Sequence, residues 1–201
     1  MYNGRMKTTF KQGNSTLVVF VTGNDKDTDL WEALPFSFLL VSSEDWNKEL
    51  SPWPAKKVLK GGGDFSGQAD EFLDDLLNQK ELRLSWKRII ICGYSLAGLF
   101  ALYACTKTDL FDACASISGS LWYPGFTEYL KMKPVHIQKL YLSLGDLEKN
   151  SKQVLLSTVE EKTKEVQACI SAYASVVFEM NSGNHFKDPN GRIIRALKTF
   201  V

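Results

Sequence analysis

Apolar residues follow two rhythms along this chain. The runs TLVVFV, SFLLV (37–41), KRIIIC (87–92), KLYLSL (139–144) and SVVFEM (175–180) are apolar at successive positions, with β-branched residues in most, and they are too short for helices. They predict buried strands, and ACASIS (113–118) is a weaker run of the same kind. Between them, apolar residues recur three or four apart. SGQADEFLDDLLNQK (66–80) gathers Phe72, Leu73, Leu76 and Leu77 on one side and predicts a helix capped by Ser66. SLAGLFALYACTK (95–107), KQVLLSTVEEKTKEVQACISAY (152–173) and GRIIRALKTF (191–200) predict three more. The charges Glu160, Glu161, Lys162, Lys164 and Glu165 mark the solvated face of the long one.

Strands that are apolar on both faces and alternate with helices predict an α/β domain. Its sheet is mostly parallel, has about six strands and is covered by helices on both faces. No repeat, low-complexity stretch or long linker divides the chain, so residues 1–201 read as a single domain. Residues 44–67 lack a clear period and hold Trp46, Trp53 and a Gly61-Gly62-Gly63 run, which is the signature of a long loop of the kind that carries function or moves.

Composition narrows the class. Lys and Arg number 24 against 23 Asp and Glu, a balance that argues for neither a nucleic acid nor an anionic membrane as partner. No apolar run reaches membrane-spanning length, and the polar start MYNGRMKTTFKQ has no secretion core, so the expectation is a cytoplasmic protein. Cys92, Cys105, Cys114 and Cys169 form no CxxC pair and read as reduced thiols. With two histidines and scattered cysteines there is no metal-ligand spacing, and no cofactor is expected. The triple glycine follows no clean strand, and no G-x-x-x-x-G-K-[ST] occurs, which disfavours a nucleotide-binding protein.

The chemistry concentrates in IIICGYSLAGLFALYA (89–104). Ser95 sits where a strand meets a helix, at the sheet edge where open α/β sheets bind ligands. A serine on so tight a turn needs small residues two places before and two after, and Gly93 and Ala97 satisfy this. The alanine departs from the strict G-x-S-x-G, and a plain helix cap would also explain the serine. The Leu96 backbone N–H at the helix start is a candidate oxyanion donor. A serine nucleophile needs a base. His185 follows a strand, at the same sheet edge as Ser95; His136 precedes one, at the opposite edge. The acid lies between serine and histidine in chains of this build, and YLSLGDLEKN offers Asp146 and Glu148.

GYSLAGLFALYA, SISGSLWYPGF, LSLGDLE and GNHF together resemble the α/β-hydrolase esterases of the esterase D and siderophore-esterase type, over roughly residues 16–200. The resemblance implies an α/β-hydrolase fold and a serine hydrolase acting on carboxylic esters through an acyl-enzyme. Ser95 matches the nucleophile and His185 the base. Glu148, three places after Gly145, matches the acid better than Asp146 does. The relatives' second oxyanion donor maps to the Asn24 backbone N–H in VTGND. Trp122 and Tyr94 are candidates for substrate contact, and Trp46 and Trp53 for a lid. A thioesterase or acyltransferase with the same triad remains open, as does a catalytically silent binding module of this fold.

Overall fold

The computed structural model describes residues 6–23, 30–58 and 62–201. Strands β1 (Lys7–Lys11), β2 (Thr16–Thr22), β3 (Ser37–Ser42), β6 (Arg88–Tyr94), β7 (Ala113–Ile117), β8 (Lys139–Gly145) and β9 (Ser175–Asn181) form the main sheet. The short strands β4 (Pro54–Ala55) and β5 (Phe65–Ser66) pair with each other. The helices are α1 (Leu30–Ala33), α2 (Trp46–Glu49), α3 (Ala69–Leu77), α4 (Leu96–Ala104), α5 (Phe126–Met132), α6 (Val154–Ser157), α7 (Val159–Ile170) and α8 (Pro189–Lys198).

The main sheet runs β1-β3-β2-β6-β7-β8-β9. All six strands expected from the apolar runs are present and mutually parallel. A seventh, β1, lies antiparallel against β3, with Lys7 beside Ser42 and Lys11 beside Phe38. Its residues are partly solvated, so its sequence carries no apolar run, and only the edge of β3 gives it a place.

The strand period of two sorts side chains to opposite faces. Leu17, Val19 and Val21 of β2 belong to a core on one face that also takes in Phe72 and Leu76 of α3, Leu99 and Phe100 of α4, and Val166 and Ile170 of α7. Val18 and Phe20 face the other way, against Ile193, Ala196 and Leu197 of α8 and the following Phe200. Helix α4 is buried along its whole length, which explains why it lacks a polar face.

Three local expectations change. Ser66 belongs to β5, and α3 begins after Gln68, whose side chain makes no cap bond. Asp70 and Glu71 in the first turn provide the favourable charge there. The long helix expected over 152–173 is broken into α6 and α7 at Thr158, whose hydroxyl donates to the Leu155 carbonyl at 2.7 Å. The stretch 44–67 is partly ordered into α2, β4 and β5. Cys92, Cys105 and Cys114 are free and buried, and Cys169 is free and half-buried. Among the described residues, no helix is long and apolar enough to cross a membrane.

Candidate active site

The strand order reverses between β2 and β6. Chain order runs outward from β2 to β3, then crosses back to β6 and continues to β9. At such a reversal the connections leave in opposite directions and open a crevice at the carboxyl ends of the strands. Ser95 follows β6 directly, at φ 61° and ψ −124°. A side chain with a Cβ rarely adopts this conformation, so surrounding bonds must impose it. The Ser95 N–H donates to the Ile117 carbonyl at 3.0 Å. Its own carbonyl accepts from Gly98 at 3.0 Å, Leu99 at 3.2 Å and Ser120 at 3.0 Å. The turn is also too tight for a side chain at Gly93, where a Cβ would lie 2.3 Å from the Ala97 carbonyl oxygen. Ala97 itself is accommodated without exposure. Leu96 heads α4, and its N–H has no carbonyl four residues back within the helix.

Two loops line up partners behind this serine. His185, on the loop between β9 and α8, places Nε2 3.0 Å from Ser95 Oγ. Its Nδ1 is 2.8 Å from Glu148 Oε2. A carboxylate only accepts, so Nδ1 carries the proton and Nε2 is free to accept from the serine hydroxyl. Glu148 stands just past β8, where its Oε1 accepts from the Gly145 N–H at 2.7 Å and the Ser118 hydroxyl at 2.9 Å. Burial alone would raise its pKa. The hydrogen bond and charge of His185, with the Gly145 and Ser118 donors, outweigh that and hold it below the ordinary value of 4.5. His136 lies at the opposite end of the sheet, exposed, 4.0 Å from Asp109.

Asp146 does not reach the imidazole. Its Oδ1 accepts from the Gly183 N–H at 2.7 Å and so ties the histidine loop to the end of β8. Arg192 of α8 was invisible to motif reasoning, because nothing in GRIIRALKTF marks it. It is 1% exposed and donates to Glu148 Oε1 at 3.0 Å, Ser118 Oγ at 2.9 Å and the Asn184 carbonyl at 2.9 Å. One guanidinium thus holds the carboxylate and the histidine loop together. The only hint available was an arginine on the apolar face of an amphipathic helix.

Four other expectations are now placed. Tyr94 lines neither cavity beside Ser95; its hydroxyl donates to the His185 carbonyl at 2.6 Å from behind the site, and burial raises its pKa. Trp53 is not at the site either. It is half-buried, packs against Tyr123, Phe126 and Tyr129, and donates its indole N–H to the Pro124 carbonyl at 2.9 Å. Trp46 and Trp122 do face the crevice. Asn24 lies outside the described residues, as does Gly61.

Two cavities, of about 420 Å³ and about 430 Å³, meet at Ser95, Ser120, Trp122 and Leu156. The first extends past Glu148 and His185 to Leu147 and Phe186. The second extends past Leu96 to Trp46, Lys57 and Phe65.

No protein-family model matches the chain. An uncharacterised protein of Bacillus subtilis strain 168, YbbA, is 30% identical over 142 residues, which is 64% of this chain and 56% of that protein. The chain thus spans little more than half the length of the relative it matches. Among solved structures, an IroE-like serine hydrolase from Shewanella oneidensis superposes with a TM-score of 0.76 at 13% identity, over 98% of this chain and 79% of that one. The siderophore hydrolase EstB from Aspergillus nidulans gives 0.70 at 17% identity, over 98% and 89%. Brefeldin A esterase, described as a bacterial homologue of human hormone-sensitive lipase, gives 0.61 at 12% identity, over 98% and 74%. With its reversed parallel sheet, its strained serine after β6 and these superpositions, the chain has the α/β-hydrolase fold.

Proposed function

We propose that this protein is a serine hydrolase that cleaves carboxylic esters through an acyl-enzyme on Ser95. The observation that carries the reading is the unbroken hydrogen-bonded series Ser95–His185–Glu148, with the serine held at φ 61°. Strain of this kind persists only where the surrounding structure enforces it, and here it presents the hydroxyl to the crevice. The names of similar structures, a serine hydrolase, a siderophore hydrolase and an esterase, support the same class.

In this reading Ser95 Oγ attacks the ester carbonyl while its proton passes to His185 Nε2. Glu148 keeps the imidazole in the tautomer that can accept and stabilises the imidazolium that forms. The oxyanion is held by the Leu96 N–H; the second donor that the resemblance implies, the Asn24 N–H, lies outside the described residues. His185 returns the proton to the departing alkoxide, and the ester C–O bond breaks. Water then adds to the acyl carbon, giving a proton to His185. The acid leaves as Ser95 Oγ takes that proton back.

The test is labelling with a fluorophosphonate, alongside hydrolysis of p-nitrophenyl acetate. The expected result is a single adduct on Ser95 by mass spectrometry, absent in Ser95→Ala, with kcat falling about a thousandfold or more in that variant. An unlabelled wild-type protein, or a Ser95→Ala variant of ordinary activity, would overturn the proposal.

A further inference from the structure

Two cavities adjoin Ser95, only one of them bordered by the imidazole, and reaction geometry separates their occupants. We infer that the cavity bounded by His185 and Phe186 receives the alcohol portion of the ester, and that it selects apolar, preferably aromatic, alcohols. This rests on the esterase reading above and deepens it.

The argument begins with the proton. The leaving oxygen must lie next to His185 Nε2 to receive it, so the alcohol departs on the side where the imidazole lines the wall. The other cavity borders Leu96 and not the imidazole, and it is left for the acyl chain. The alcohol side carries five large apolar side chains, Trp122, Leu147, Leu156, Val159 and Phe186, beside the small or amide side chains Ser120, Asn150, Ser151 and Asn184. The one charged side chain there, Glu148, is already engaged by Arg192, His185, Ser118 and the Gly145 N–H, so it offers little to a charged ligand. The acyl side, by contrast, carries Lys57.

The rim gives the second observation. Phe186 is 81% exposed and Leu147 52% exposed, although both are large apolar side chains. Neither position is loosely held. The Phe186 N–H donates to Asn184 Oδ1 at 3.0 Å, and its ring stands edge-on to His185 with centroids 5.3 Å apart. The Leu147 N–H donates to the Gly183 carbonyl at 3.2 Å, joining the acid turn to the histidine loop. Two apolar posts fixed on opposite loops at one mouth leave surface that a ligand ring would cover.

Benzyl acetate and methyl phenylacetate are isomers that carry the phenyl ring on the alcohol and on the acyl side respectively. Phe186→Ala removes an exposed side chain and does not threaten the fold. In Phe186→Ala, kcat/KM for benzyl acetate should fall about five- to tenfold, the worth of one aromatic pair, while methyl phenylacetate changes less than twofold. Leu147→Ala should act in the same direction. A selective fall for methyl phenylacetate would assign the cavity to the acyl group and overturn the inference. Equal falls for both isomers would show that Phe186 acts through His185 alone, and no fall for either would remove it from substrate contact; both results also overturn it. A wild-type protein that hydrolyses neither these isomers nor p-nitrophenyl acetate would overturn the esterase reading itself. Hydrolysis with the wrong isomer response overturns only the present inference.

Discussion

At the scale of single residues, Glu148 and Asp146 show how two carboxylates two positions apart come to do different work. Glu148 reaches the imidazole, while Asp146 binds a backbone N–H. Glu148→Gln should lower kcat by on the order of a thousandfold, since an amide no longer enforces the accepting tautomer. Asp146→Asn keeps an acceptor oxygen for Gly183 and should retain most of the activity in the same steady-state assay. Glu148 also makes stability depend on pH. Its pKa is lower in the folded protein than the ordinary 4.5, so its stabilising contribution is present above that value. The contribution disappears as pH falls through the depressed folded value and the carboxylate protonates. Thermal melts should therefore separate wild type from Glu148→Gln at pH 7 and bring them progressively closer together as pH falls below 4.5.

At the scale of elements, the connection from β6 to α4 is the decisive one. The pattern around Ser95 predicts a tight turn from small residues, and the structure supplies the reason: a Cβ added at Gly93 would lie 2.3 Å from the Ala97 carbonyl oxygen. That contact is with backbone, which cannot swing away. Gly93→Ala should cost about 1–3 kcal/mol in urea unfolding and should reduce activity further by displacing Ser95. The α6–α7 break was not legible for a related reason. Periodicity reads side-chain faces and passes smoothly through Thr158, whereas the break shows in the backbone, where the Thr158 N–H and hydroxyl both turn to the Leu155 carbonyl.

At the scale of the whole molecule, α8 joins the core to the site. Ile193, Ala196 and Leu197 cover one face of the sheet, and Arg192, one residue earlier, is buried against Glu148. Removing one partner of a buried pair leaves the other charge uncompensated. Arg192→Met should lower unfolding free energy by about 3–5 kcal/mol and lower kcat through Glu148 and the histidine loop. Arg192→Met combined with Glu148→Gln should be more stable than the sum of the two single effects implies, yet remain inactive. A double-mutant cycle of chemical unfolding, with kcat measured on the same proteins, checks both statements.

The six parallel strands, their helical covers and the order Ser95, Glu148, His185 were legible in the sequence, because buried strands are apolar on both faces and the strand ends that carry the chemistry follow from connectivity. The edge strand β1 was not, since none of its residues is fully buried and its pattern is that of a polar segment. The resemblance favoured Glu148 over Asp146 on the same turn, and only tertiary structure shows the direction of each side chain, Glu148 towards the imidazole and Asp146 towards the Gly183 N–H. Tertiary structure moved Tyr94 and Trp53 from the crevice to supporting positions, where a hydroxyl and an indole N–H needed partners. It also brought Arg192 from a helix 44 positions further along the chain to within 3.0 Å of Glu148. Local spacing carries no record of such a contact, since it exists only once α8 has packed across the sheet.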